Sequence, residues 1–171
     1  MRISKGTKLV CLGVLLVVID QVSKVLVKTN MGLGEQIPVI GQWFRLCFVE
    51  NEGMAFGMKW GGAVGKFCLS LFRIVLCGAL IWWIRSLLKK AAPTGVVVGL
   101  TLITAGAFGN IIDCLFYFPI IRNADRVIFF SPVFNFADSC VTVGAFYLAL
   151  FQWRFFSSED EKKENKKKAA K

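Results

Sequence analysis

Apolar residues come in four blocks, each close to the ~20 positions that about 30 Å of hydrocarbon requires. They run from Leu9 to Val27, Phe67 to Ile84, Gly95 to about Phe118, and Val133 to Phe151. Pro119 stops the third block, while Trp82-Trp83 and Trp153-Arg154 mark interfacial ends of the second and fourth. The pattern predicts an all-α membrane protein with four transmembrane helices. The first block has the basic start and apolar core of a cleaved leader. However, no small-x-small site follows it, and the run continues into Asp20-Gln21-Val22-Ser23-Lys24. A retained helix is therefore expected, and Cys11 precedes the apolar core, which argues against lipid attachment there.

Between the first two blocks the period changes. Gln36-Ile-Pro-Val-Ile-Gly and Trp43-Phe-Arg-Leu-Cys-Phe-Val-Glu read as short strands joined at a glycine turn. Gly53, Gly57, Gly61 and Gly62 punctuate the apolar stretch that follows. A small sheet on the membrane surface is expected there. The stretch from Ser157 to Lys171 is charged and low in complexity, and disorder is its expected state. The domain reading is one integral membrane unit over residues 1–156 and a basic tail over 157–171.

Composition agrees with membrane residence: 56% of the 171 residues are apolar and the mean hydropathy is +0.60. The net charge of +10 resembles a nucleic-acid footprint until its distribution is read. Arg154, Lys162, Lys163, Lys166, Lys167, Lys168 and Lys171 place seven of the 21 basic residues in the last 18 positions. Arg2, Lys5 and Lys8 precede the first block, and Arg85, Lys89 and Lys90 follow the second. The connection from Lys28 to Lys66 sets four basic residues against Glu35, Glu50 and Glu52. This is the positive-inside pattern, with both termini and the second link cytoplasmic and no nucleic-acid partner. The six cysteines form no C-x-x-C pair and histidine is absent, so no metal or cofactor site is indicated.

Candidate chemistry lies inside the blocks. Asn110-Ile-Ile-Asp113 and Asn135-Phe-Ala-Asp138 place two carboxylates in membrane segments, each three residues after an asparagine. A carboxylate there is costly unless it is paired or does chemistry. At ~1.5 Å per residue, Asp113 is expected about 27 Å above Gly95, and Asp138 about 8 Å below the outer surface on the descending helix. The spacing of three puts each Asn and Asp on one helix face. Gly106, Ala107, Gly109, Ala137 and Ser139 suit those faces to close packing. Asp20 and Lys24 stand at i, i+4 and can neutralise each other. Arg73 is a possible partner for either acidic side chain of the third and fourth helices. With no serine–histidine, cysteine–histidine or metal set, the hydrolytic chemistry left is that of two carboxylates sharing a proton. A proton-coupled transporter and a non-enzymatic scaffold are the alternatives. The nearly featureless cytoplasmic halves of the spans argue against the transporter.

Four ordered motifs then carry a resemblance over nearly the whole chain up to the tail. They are Asp20-Gln21-x-Ser23-Lys24, Glu50-Asn51-x-Gly53-x-Ala55-Phe56-Gly57, Gly106-Ala107-x-Gly109-Asn110-x-x-Asp113 and Phe134-Asn135-x-Ala137-Asp138. With them the chain resembles the lipoprotein signal peptidases (signal peptidase II), aspartyl proteases of the bacterial inner membrane. The resemblance implies four helices with a periplasmic β-cradle between the first two. It implies removal of the signal peptide from prolipoproteins, just before a diacylglyceryl-modified cysteine, by an enzyme in contact with membrane lipids. Asp138 matches the catalytic aspartate of the fourth helix. Asp20, Lys24, Asn51, Gly53, Asn110 and Asn135 match positions that support or line the site. No cofactor is implied, and a monomer is expected. One departure stands out: the family usually carries two aspartates between the third and fourth motifs, the first often followed by Arg. Here Cys114 follows Asp113, and the stretch from Ile111 to Pro119 resembles the catalytic stretch of some members, as though an intervening loop had been deleted. Asp113 is thereby assigned as the second catalytic residue, with Asp125 in Arg122-Asn-Ala-Asp125-Arg126 as its rival. A catalytically impaired homologue is the remaining alternative.

Overall fold

The computed structural model describes residues 3–41, 44–48, 62–116 and 134–158. In chain order these form helix α1 (Lys5–Asn30), strands β1 (Gln36–Ile40) and β2 (Phe44–Cys47), and helices α2 (Gly62–Lys89), α3 (Thr94–Phe116) and α4 (Phe136–Phe151). The protein is thus mostly helical, with one two-stranded hairpin between the first two helices. Among the described residues three helices are long and apolar enough to cross a membrane, whereas α4, at 16 residues, is a shorter apolar one. Residues 153–158 continue in helical conformation, past the expected start of the tail at Ser157.

α1 and α2 extend past their apolar blocks for local reasons. α1 begins four residues early because Ser4 caps it, its Oγ accepting the Thr7 amide at 3.1 Å. It continues through Lys28, Thr29 and Asn30, where the Thr29 and Asn30 side chains bond back to carbonyls of the last turn. α2 closes in a Schellman turn: the Ala92 amide reaches Leu87 O at 3.0 Å and the Ala91 amide reaches Leu88 O at 3.2 Å. Ala91 takes the left-handed position of that turn (φ 52°), where glycine is usual. Lys5 Nζ donates to Ala92 O at 2.8 Å, pinning the start of α1 to this turn. The Trp83 and Phe156 rings, 6.1 Å apart, bring the residues after α4 to the same end.

α3 is the central helix, packed most extensively on α4 and also on α1 and α2. Val96, Val97 and Leu100 are fully or almost fully buried among Leu9, Leu80, Leu87 and Leu148. The apolar side chains left outside, such as Val10, Val14, Phe72, Val75, Val143 and Phe146, make the outward faces suited to hydrocarbon. Close approach of α3 and α4 depends on glycine. A Cβ at Gly99 would lie 2.5 Å from Leu148 Cδ2, and one at Gly106 would overlap the Ala137 carbonyl.

In the hairpin β1 and β2 run antiparallel, with Ile37 opposite Leu46 and Ile40 opposite Phe44, and an irregularity between Pro38 and Ile40. The Gly34 amide to Phe48 O (2.8 Å) and the Phe48 amide to Glu35 O (3.1 Å) extend the ladder. Every β1 residue is exposed, apolar on both faces. Of the expected second strand, β2 covers Phe44–Cys47; Trp43, Val49 and Glu50 lie outside the described residues, as do Asn51, Gly53, Cys114's side chain and Asp125. The disorder expected of the tail falls on residues 159–171, also outside them.

Gly106→Ala should lower the thermal stability of detergent-solubilised protein by about 1–3 kcal/mol, because the added methyl forces α3 from α4. Gly78→Ala, where a Cβ meets nothing within 4 Å, should leave it unchanged or slightly raised.

Candidate active site

The polar residues gather at the end of the bundle where α1 and α3 finish and α4 begins. Four of them sit on α1 within two turns: Asp20, Gln21, Ser23 and Lys24. The spacing of four puts Lys24 over Asp20, and Lys24 Nζ lies 2.6 Å from Asp20 Oδ2. The same ammonium lies 2.6 Å from Asp113 Oδ2, across the interface with α3. One cation thus serves two carboxylates from different helices. Asp20 is 1% exposed, so its charge is tolerable only because each oxygen is occupied.

The other oxygen of Asp20 crosses to α4. Oδ1 accepts the Ala137 amide at 2.9 Å, one of the unpaired donors in the first helical turn. A second cap is local: Asn135 Oδ1 accepts the Asp138 amide at 2.8 Å, and Asp138 Oδ2 accepts the Asn135 amide at 3.3 Å. This reciprocal pair is a capping box with asparagine and aspartate in place of the usual serine and glutamate. Two carboxylates therefore accept amides at the N-terminal end of α4. α3 completes the site through Asn110, whose Nδ2 donates to Asp138 Oδ1 at 2.8 Å while its Oδ1 accepts from Asn135 Nδ2 at 3.1 Å. Gly109 makes room for all of this, since a Cβ there would lie 2.6 Å from Asp20 Oδ2.

The expected site residues accordingly fall into two linked groups. Asp20, Lys24 and Asp113 form one, and Asn110, Asn135 and Asp138 form the other. The Asp20–Ala137 bond and the single α3 turn between Asn110 and Asp113 join them. Among the described residues no hydrogen bond connects the Asp113 and Asp138 carboxylates directly, and no buried side-chain nitrogen or oxygen lacks a partner. Two details depart from the sequence reading. Asn135 is the N-cap before α4, not a member of its helical face, so Asp138 lies in the first turn of a helix that starts later than Val133. The cation on Asp113 is Lys24. Sequence reasoning also left Gln21 without a role, although its Nε2 lies within 3.4 Å of Asp20 Oδ2, Asp113 Oδ1 and Gly109 O. The Asn-x-x-Asp spacing ahead of an apolar run was the signal for the cap.

Comparison with known proteins places this arrangement. The family model described as "Signal peptidase (SPase) II" matches residues 12–154. A lipoprotein signal peptidase of Porphyromonas gingivalis is 38% identical over 192 residues, covering 86% of this chain and 83% of that protein. That match is longer than the 171-residue chain itself, so the relative holds segments with no counterpart here. The lipoprotein signal peptidase of Fusobacterium nucleatum is 32% identical over 146 residues, with 85% and 86% coverage. A solved structure described as a bacterial membrane enzyme, at 2.3 Å resolution, superposes with a TM-score of 0.66 at 25% identity. It covers 88% of this chain and 90% of that one.

Lys24→Met strands the buried Asp20 charge and should cost about 3–5 kcal/mol of stability. The double variant Asp20→Asn, Lys24→Met should cost clearly less than that single change. Thermal unfolding of the two in detergent gives the comparison.

Proposed function

The chain belongs to the signal peptidase II family, and we propose that Asp113 and Asp138 are the two aspartates of its reaction. It is a multi-pass bacterial membrane protein with lipoprotein signal peptidase activity, an aspartic endopeptidase that processes prolipoproteins. The observation that carries the assignment is placement: Asp113 lies one α3 turn from Asn110, whose Nδ2 donates to Asp138 Oδ1 at 2.8 Å, so both carboxylates stand at the same end of the bundle.

In the proposed reaction Asp113 takes a proton from water as the water oxygen bonds to the scissile carbonyl carbon. Asp138 supplies the proton that the carbonyl oxygen acquires. The resulting diol collapses and the C–N bond breaks. The leaving nitrogen receives the proton held by Asp113, and a diol proton returns to Asp138. The scissile bond is the one preceding a diacylglyceryl-modified cysteine. The end of the bundle holding both aspartates faces outward from the inner membrane, where that lipid anchor lies in the outer leaflet. Asp20, Lys24, Asn110 and Asn135 support or line the site, as Asn51 and Gly53 do by their motif, and the enzyme acts as a monomer among membrane lipids. Residues 1–156 form the peptidase unit and 157–171 a basic appendage.

The orientation draws support from the opposite end. Lys5, the link carrying Lys89 and Lys90, and the residues after α4 meet there. With the start of α1 and the close of α4 at one end, α4 is the fourth crossing, both termini are cytoplasmic, and the hairpin belongs to a periplasmic cradle.

A second reading is favoured by the same ion pair. If Lys24 and Gln21 hold Asp113 as a structural anchor, the reacting partner of Asp138 is Asp125. Cleavage of a diacylglyceryl-modified precursor by purified variants separates the two. Asp138→Asn should lower the rate by about 10²–10⁴-fold with the protein still folded, and Asp113→Asn should do the same. Asp125→Asn should cleave at the wild-type rate; its inactivity would move the second role to the loop. Full activity of Asp138→Asn would reject the aspartyl assignment.

A further inference from the structure

Gln21 belongs to the first motif, yet nothing so far gives it a task. Its surroundings do. Nε2 donates toward Asp20 Oδ2 at 3.0 Å, Asp113 Oδ1 at 3.2 Å and Gly109 O at 3.4 Å. Lys24 Nζ bridges the same two carboxylates through Asp20 Oδ2 and Asp113 Oδ2. The four side chains form a closed ring: carboxylate, ammonium, carboxylate, amide.

The two bridging groups are not equivalent. An ammonium is a compact charge on a long stem, and it satisfies one oxygen of Asp113 without fixing the carboxylate plane. Torsion about the last bond of an aspartate is broad and soft. A second donor on Oδ1 removes that freedom, because both oxygens are then tied to α1. We propose that Gln21 is a positioning residue that sets the plane of the Asp113 carboxylate, and that it must do so as a neutral donor. The ring already holds two carboxylates and a single cation, and Asp138 adds a third acidic group one α3 turn away through Asn110. A charged acid at position 21 removes the donor and brings a further negative charge against Asp20 and Asp113, with Lys24 as the only basic side chain in the ring.

The inference rests on Asp113 taking part in the reaction. Among the described residues, the charged groups facing Gln21 are Asp20 and Lys24 on α1 and Asp113 on α3, with Asp138 of α4 beyond Asn110. All of them are common to wild type and variant, so the informative quantity is the ratio of variant to wild-type kcat. Gln21→Glu supplies the test. When its carboxyl is protonated, the O–H replaces the lost N–H donor; when it is ionised, the donor is gone and the repulsion is present. The kcat ratio should therefore rise as pH falls from about 8 to about 5, by about tenfold or more, the value of one hydrogen bond to a charged partner. KM should change little, because a positioning role acts on the reacting step and not on binding that is the same in ground and transition states. Gln21→Leu should show the depressed kcat at every pH.

A Gln21→Glu ratio that stays flat with pH, while Asp113→Asn abolishes cleavage, overturns the role of Gln21 and leaves the aspartate assignment standing. Cleavage at the wild-type rate by Asp113→Asn removes the premise itself. Loss of kcat in Gln21→Glu at about pH 8 with recovery toward pH 5 supports the proposal even if Gln21→Leu does not fold.

Discussion

One ammonium holds the functional end of this bundle together. Lys24 stands between Asp20 of its own helix and Asp113 of α3, and each contact is 2.6 Å. In hydrocarbon there is no driving force for helices to associate by burying apolar surface, so polar contacts and close van der Waals packing must supply it. A cation shared across two helices is such a contact, and it is specific, since only one rotation of α1 brings Lys24 and Asp113 together. The opposite end of the bundle is organised differently, around Val96, Val97 and Leu100 with Lys5 on the Ala92 carbonyl. The bundle thus has an apolar half that fits helix to helix and a charged half that fixes their rotation.

The charged half extends to α4 through backbone groups. A helix N-terminus inside a bundle exposes amide donors that need acceptors, and here three side-chain oxygens arrive: Asp20 Oδ1, Asn135 Oδ1 and, in return, Asp138 Oδ2 onto the Asn135 amide. Asp138 is therefore both a helix cap and the candidate reacting group. This economy ties reactivity to fold, because any shift of α4 relative to α1 changes the Ala137–Asp20 contact and the Asp138 carboxylate together. Gly106 and Gly109 matter for the same reason. They are the points where α3 comes close enough to the Ala137 carbonyl and to Asp20 for these bonds to form.

The sequence carried much of this, but unevenly. The apolar blocks located the four helices of the described residues, three of them at spanning length and α4 shorter, and the turn at Gly41 announced the hairpin. The Asp20–Lys24 pair was visible in its spacing of four, which one helix suffices to define. What could not be read was the second contact of Lys24. It depends on the rotation of α1 against α3, and nothing in a single chain's periodicity encodes which faces meet. Gln21 was hidden for that reason too. Asn135 was a different kind of miss: the residues were noticed, but a helical face was assumed where the Asn-x-x-Asp spacing also describes a cap. Chemistry in the first turn of a helix is easily mistaken for chemistry one turn inside it.

The comparison with longer relatives bears on why Asp113 attracts two interpretations. The Porphyromonas gingivalis protein has segments this chain lacks, and the stretch after Asp113 reads as two motifs brought together. The anchors on either side of that junction are nonetheless complete: Asp113 is fixed by Lys24 and Gln21, and Asn135 by Asn110 and Asp138. Loop length changes closure entropy only slowly, so a connection of different length between two such anchors costs the bundle little. The demand falls instead on the number of carboxylates. A two-aspartate mechanism needs one acidic partner for Asp138. Among the described residues the carboxylate proposed for that duty is Asp113, tied by Lys24 and Gln21 and one helical turn from the asparagine that holds Asp138.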